Sequence, residues 1–217
     1  MISVFVTGVK GCGKTTFTNY IYDVLNNVHN IPTEVITIAK PLKEMVFKLC
    51  KLFDVDINSI DDLENPETKE IYRNFMQQIG TEICQNIFGK ECWCKAVMNN
   101  NDLPTPLRII SDLRFEHEFQ YFHKMSSHSI VIRINKTSSS NNTSTSSCQS
   151  VVSKVSKAIN NFNNCSKHIS ENFDVKCLEK YSNVYVINID NNSDLQAFHD
   201  LAEDIVSTIL DLYISKQ

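Results

Sequence analysis

The chain has no surplus of positive charge, no long apolar run and few glycines, and each shortage narrows what it can be. Its formal charge is -4 over 217 residues. Affinity for a phosphate backbone normally needs a basic face, so this balance argues against a general partner for nucleic acid polymers. No apolar stretch approaches about 18 residues, so no transmembrane helix and no membrane partner are expected. The opening ISVFVTG lacks a basic n-region and a small-residue cleavage site, and it reads as a strand rather than a signal peptide. Without a secretory signal, the eight cysteines read as reduced thiols of a cytoplasmic protein. Sequons such as those at Asn135 and Asn142 then stay unmodified. CWC at 92–94 has no spaced partner pair, so no zinc site is expected. His117, His123 and His128 miss the i,i+4 spacing of a helical metal pair and read as solvated.

What is present suits one globular domain, with ordinary hydrophobic and charged fractions of 42% and 21%. Five β-branched runs stand at Ser3–Thr7, Glu34–Ile38, Leu107–Asp112, Ser129–Ile134 and Asn183–Asp190. Helical patterns over Thr15–Asn27, Pro41–Phe53, Glu67–Met98, Glu116–Met125 and Ser193–Lys216 separate most of them. This alternation predicts an α/β fold with a five-stranded, mostly parallel sheet and helices on both faces. Residues 137–150, TSSSNNTSTSSCQS, lack a hydrophobic set and read as a flexible insert.

Three of the five glycines fall in one stretch, VFVTGVKGCGKTTFTNYI. Gly8, Gly13, Lys14 and Thr15 fit the Walker A spacing, with an apolar strand before and a helix after. Such a loop turns backbone N–H groups toward phosphate oxygens at a helix N-terminus. ATP-binding residues are therefore Gly8, Gly11, Cys12, Gly13, Lys14, Thr15 and Thr16, with Lys14 reaching the β- and γ-phosphates and Thr15 binding Mg2+. A GTPase would carry Asn-Lys-x-Asp after a strand; NKTS at 135–138 lacks the Asp. The length disfavours a large mechanical ATPase, which leaves a small-molecule kinase. Asp112, at the carboxyl end of an apolar strand, is placed to hold Mg2+ directly or through water. Arg114, two residues on, can grip an anionic acceptor.

The stretch RNFMQQIGTEICQNIFGKECW (73–93) carries two rows at four-residue spacing. Arg73, Gln77, Thr81 and Gln85 form a polar row. Ile71, Phe75, Ile79, Ile83 and Ile87 form an apolar row on roughly the opposite side, and this row is expected to face a core. Gly80 in mid-helix costs about 1 kcal/mol against alanine, which suggests that something packs or binds close to it.

With these residues in place, the chain resembles the deoxynucleoside monophosphate kinases of bacteriophages and large DNA viruses. FVTGVKGCGKTT is similar to that family's P-loop, IAKPLKEMV (38–46) to its Ala-x-Pro-Leu-Lys segment, and RNFMQQIGTE (73–82) to its Arg-x-x-x-Gln-x-x-Gly-Thr-Glu signature. ISDLRFEHE and HISE (168–171) are similar to its Asp-x-Arg-Phe and His-x-Ser-Glu segments. Two departures stand out: some relatives carry Asp where this chain has Thr15, and many carry Arg where it has Gln85. The resemblance implies transfer of the ATP γ-phosphate to a dNMP, with Lys14, Arg73, Asp112 and Arg114 as the catalytic group. It implies Lys43, Arg73, Gln77, Gln78, Thr81 and Arg114 on the acceptor, within a helical region at 39–100. Residues 136–180 would form a lid, with Arg133 at its root and Lys167, His168, Ser170 and Glu171 among its residues. ATP and a nucleoside monophosphate are the implied partners, and homodimer formation is left open. Rival readings are a phosphomevalonate-type kinase with a more cationic acceptor pocket, a more distant coenzyme A synthesis enzyme, and a nucleotide-dependent binding module without turnover.

Overall fold

Five β-branched runs line up side by side. The computed structural model describes residues 1–65, 69–99, 105–136, 173–178, 180–191 and 195–215. Strands β1 (Ile2–Gly8), β2 (Thr33–Ile36), β3 (Leu107–Ile110), β4 (His128–Lys136) and β5 (Val184–Asn191) form one sheet in the order β2-β3-β1-β4-β5. Every pair is parallel, where a mostly parallel sheet was expected. A parallel sheet is covered on both faces, so its strands read as nearly continuous apolar runs, and six of the seven β1 residues are buried.

Side chains alternate between the faces. Ile2, Val4 and Val6 join Phe17 and Ile21 of α1 (Lys14–Asp23) in one core cluster. The same cluster takes Phe198, Ala202, Ile205 and Ile209 from the long C-terminal helix Leu195–Ile214. Phe5 points the other way and meets Phe119 of the helix Glu116–His123, ring centroids 4.9 Å apart. The chain leaves β1 for β2, returns to place β3 between them, and puts β4 on β1's other side. Strand order therefore reverses around β1, and the crevice beyond its carboxyl end is where open α/β sheets take ligands.

Contacts divide the described chain into two compact units. The sheet unit holds Met1–Ile38 and the described residues of 94–136 and 173–215; the second unit is Ala39–Trp93. In the second, α2 (Lys40–Leu52) is followed by the 3-10 turn Ile60–Glu64, α3 (Lys69–Gln77), a π-helical stretch Gln78–Cys84 and α4 (Gln85–Phe88). Gly89, at φ 90, ends that helix, so the single helical region expected over 67–98 is broken before α5 (Cys92–Met98). In keeping with this order, Glu116–His123 is α6 and Leu195–Ile214 is α7.

The apolar row of 71–87 does not face this unit's core. Phe75, Ile83 and Ile87 are 41%, 49% and 67% exposed. The buried face is one residue on: Tyr72 and Met76 pack against Val46, Cys50, Ile57 and Leu63, and Gly80 and Cys84 are buried. The reason is close packing against α2. A Cβ on Gly80 would come within 2.7 Å of Leu42 Cδ2, so the small residue marks the contact line and the isoleucines flank it.

The three histidines read as solvated are half-buried instead. His117 stacks on Phe115, His123 on Phe119 and His128 on Tyr185, because an imidazole offers a flat apolar face as well as polar nitrogens. Among the described residues no helix is long and apolar enough to cross a membrane.

Candidate active site

The P-loop spans the step from β1 into α1. Gly8 closes the strand, Gly11 lies at the exposed tip and Gly13 caps α1 with φ 96 and ψ 13. An L-residue is strained at that φ, and space excludes one as well: a Cβ on Gly13 would lie 2.7 Å from Asn191 Nδ2. Asn191, the last residue of β5, donates from Nδ2 to the Cys12 carbonyl at 3.0 Å. Cys12 itself is fully buried, its side chain in the sheet unit's core. The loop is thus held from below by Cys12 and from the side by Asn191.

Lys14 turns back over the loop. Its Nζ donates to the carbonyls of Gly8 (2.8 Å) and Val9 (2.9 Å), with Cys12 Sγ at 3.8 Å. Burial lowers its pKa, and the Arg114 charge lowers it further, while Cys12 and the Asp112 carboxylate act in the opposite sense. Lys14, Asp112 and Arg114 therefore share one electrostatic field. Thr15 and Thr16 are exposed in the first turn of α1, where the helix presents N–H groups without intrahelical partners.

The turn after β3 is tied to both neighbouring strands. Ser111 N–H donates to the Ile36 carbonyl at 2.9 Å and Leu113 N–H to the Val6 carbonyl at 3.1 Å. This holds Asp112, half-buried, at the carboxyl ends of β2, β3 and β1. Its Oδ1 accepts the Ile38 N–H at 2.7 Å. The Thr15 hydroxyl and the Asp112 carboxylate are oxygen donors of the kind that a hard cation such as Mg2+ takes. Arg133 sits within β4 in register with Thr7, beside the start of the P-loop. His168, Ser170, Glu171, Lys167 and the insert at 137–150 lie outside the described residues.

In the second unit the acceptor candidates fall on α2 and on the α3–π stretch. Lys43 Nζ pairs with Glu64 Oε1 at 2.7 Å. Arg73 and Gln77 lie on α3, and Gln78 and Thr81 on the π-helical stretch; all four are half-buried. Gln85, first residue of α4, is half-buried too. A π-turn disturbs the i→i-4 ladder and often marks a functional position. Here the Gly80 carbonyl accepts the indole N–H of Trp93 at 2.9 Å.

Three residues near the sheet-unit site escape a reading of sequence alone. Asn191 touches the P-loop across 179 positions, and no local pattern announces it. Lys136 Nζ lies 3.9 Å from where a Cβ on Gly11 would sit. Glu118, in the first turn of α6, is 5% exposed and accepts two backbone N–H groups beside Arg114. Its only sequence signal is an acidic residue near a helix start, without the Ser or Thr that usually completes a capping box.

A 27% identical protein of Acanthamoeba polyphaga mimivirus, named "Putative deoxynucleotide monophosphate kinase", matches over 150 residues, 61% of this chain and 74% of the relative. Among solved structures, a shikimate kinase from Acinetobacter baumannii is 14% identical with a TM-score of 0.40, covering 96% of this chain and 93% of that one. A sugar kinase from Janibacter sp. HTCC2649 is 11% identical with a TM-score of 0.36, covering 93% and 92%. Likeness at those scores says nothing about substrate. The phosphomevalonate kinase family model matches residues 6–128, more than half of the 217, from inside β1 through the P-loop, the helical unit and the Asp112–Arg114 turn. The chain belongs to the phosphomevalonate kinase family, and its chemistry is that of a kinase.

Proposed function

We propose that the protein transfers the γ-phosphoryl group of ATP to a deoxynucleoside monophosphate, giving ADP and dNDP. The observation that carries this choice is the make-up of the helical unit's candidate wall. It offers neighbouring amides, Gln77 and Gln78, with the hydroxyl of Thr81, all half-buried. Of its two candidate cations, Lys43 is already neutralised by Glu64. Amides can pair with both donors and acceptors on a base edge, whereas an isoprenoid phosphate offers no such edge and calls for more positive charge. The mimivirus relative's name points the same way.

A nucleoside monophosphate reaches the site with a phosphate oxygen already ionised near neutral pH, so its attack needs little general-base help. What the protein supplies is alignment and charge. Lys14 exchanges the Gly8 and Val9 carbonyls for β- and γ-phosphate oxygens and neutralises charge building on the transferring group. The P-loop amides and the start of α1 cradle the same oxygens. In the sheet unit Arg114 holds the acceptor phosphate; in the helical unit Arg73 is the candidate for the acceptor's charge, and Gln77 and Gln78 for its base. Thr15 and Asp112 would hold Mg2+, which would supply positive charge to offset the charge of the phosphates.

The family match to phosphomevalonate kinases keeps phosphomevalonate as the second acceptor to test. The reading is checked by following product directly. With ATP, Mg2+ and each dNMP, at least one dNDP should accumulate in step with ADP. ADP release without any dNDP would sink it.

A further inference from the structure

One buried ionisable group beside this site has no part in the chemistry above. Glu118 is the third residue of α6, and its Oε2 accepts the backbone N–H of Arg114 at 2.9 Å and of Phe115 at 3.0 Å. A helix start leaves N–H groups without partners, and a Ser, Thr, Asp or Asn at the N-cap usually satisfies part of that need. Here the N-cap is Phe115, extended at φ -134 and ψ 149, so the Glu118 carboxyl group carries the cap alone. The arrangement is an expensive one. Burying an ionised carboxylate would cost far more than burying a hydroxyl or an amide, and the nearby Asp112 charge adds to that cost, so burial favours the protonated carboxyl. What it secures is the main chain of Arg114, at the point where β3's turn passes into α6.

We propose that Glu118 is the positioning residue of the acceptor-phosphate clamp: by holding the Arg114 and Phe115 amides, it fixes the base from which the Arg114 guanidinium reaches the acceptor. The proposal rests on the role given to Arg114 above. Its chemistry needs two accepted N–H bonds and no proton transfer, so a neutral acceptor oxygen of the same reach should serve. An apolar side chain of the same length should not.

A double-mutant cycle tests it, using Glu118→Met, Glu118→Gln, Arg114→Ala and the Arg114→Ala/Glu118→Met pair. The assay is dNDP formation with the best dNMP, together with ATP affinity from a fluorescent ATP analogue. Glu118→Met should lower acceptor kcat/KM by about 10- to 100-fold, leave ATP affinity within about 2-fold, and add less than about 2-fold once Arg114 is already alanine. Glu118→Gln should stay within about 3-fold of the parent. Equal losses from Glu118→Met with and without Arg114, or ATP binding that weakens in step, would reduce Glu118 to a helix cap and overturn the proposal. If Glu118→Met fails to fold, Glu118→Gln decides alone: a loss as large as that of Arg114→Ala overturns it, and near-parent use supports it. Undiminished acceptor use in Arg114→Ala would instead remove the role of Arg114 itself, and the proposal with it.

Discussion

At the residue scale, the roles of the candidate cations separate by what each touches. Lys14 is the group folded over the P-loop carbonyls, so Lys14→Ala should cost about 100- to 1,000-fold in kcat with every acceptor. Arg73 lies in the helical unit, and Arg73→Ala should raise the acceptor KM while ATP affinity stays near the parent value. Initial rates with ATP and acceptor varied in turn distinguish the two; matching ATP defects would contradict the division. Glu118 makes a prediction about pH. Burial, helped by the Asp112 charge, pushes its pKa up from 4.5 to about 8. The folded protein therefore holds a proton that the unfolded chain releases near pH 4.5, and its stability should fall as pH rises through that window, by a few kcal/mol at most. Denaturant melts of the metal-free protein at pH 5.5 and 8.5 should show this slope, and Glu118→Gln should flatten it. An equal slope in both proteins would count against a buried, protonated Glu118.

At the scale of elements, the helix from Lys69 to Phe88 shows what a sequence conveys and what it hides. Its existence was legible from periodicity, but its buried face was not. Counting apolar residues favours Ile71, Phe75, Ile79, Ile83 and Ile87, yet the buried side runs along Tyr72, Met76, Gly80 and Cys84. Packing distance chose that face, and Gly80 was its only marker. Gly80→Ala needs only the tip of the Leu42 side chain to give way, and alanine is favoured by up to about 1 kcal/mol in a helix interior, so stability should change by less than about 1 kcal/mol. A melt showing a loss of several kcal/mol would mean that Leu42 is held fast against the glycine. The five strands were legible for a simple reason: a parallel sheet is buried on both faces and writes itself as apolar runs. The P-loop was legible because its geometry is local. Asn191 and Glu118 were not, since each acts through a hydrogen bond made only once the chain has folded.

At the scale of the whole molecule, the sheet order around β1 puts the P-loop and the Asp112–Arg114 turn at carboxyl ends of neighbouring strands. In the helical unit, Gln77, Gln78 and Thr81 are the candidates for reading the acceptor. The central claim is that this combination phosphorylates deoxynucleoside monophosphates. The most direct measurement is ADP release, coupled to a spectrophotometric readout, with the four dNMPs, the four NMPs and phosphomevalonate as acceptors at equal concentration. At least one dNMP should give a rate well above the acceptor-free rate, and above that with phosphomevalonate. Stimulation by phosphomevalonate alone, or by no acceptor, would contradict it.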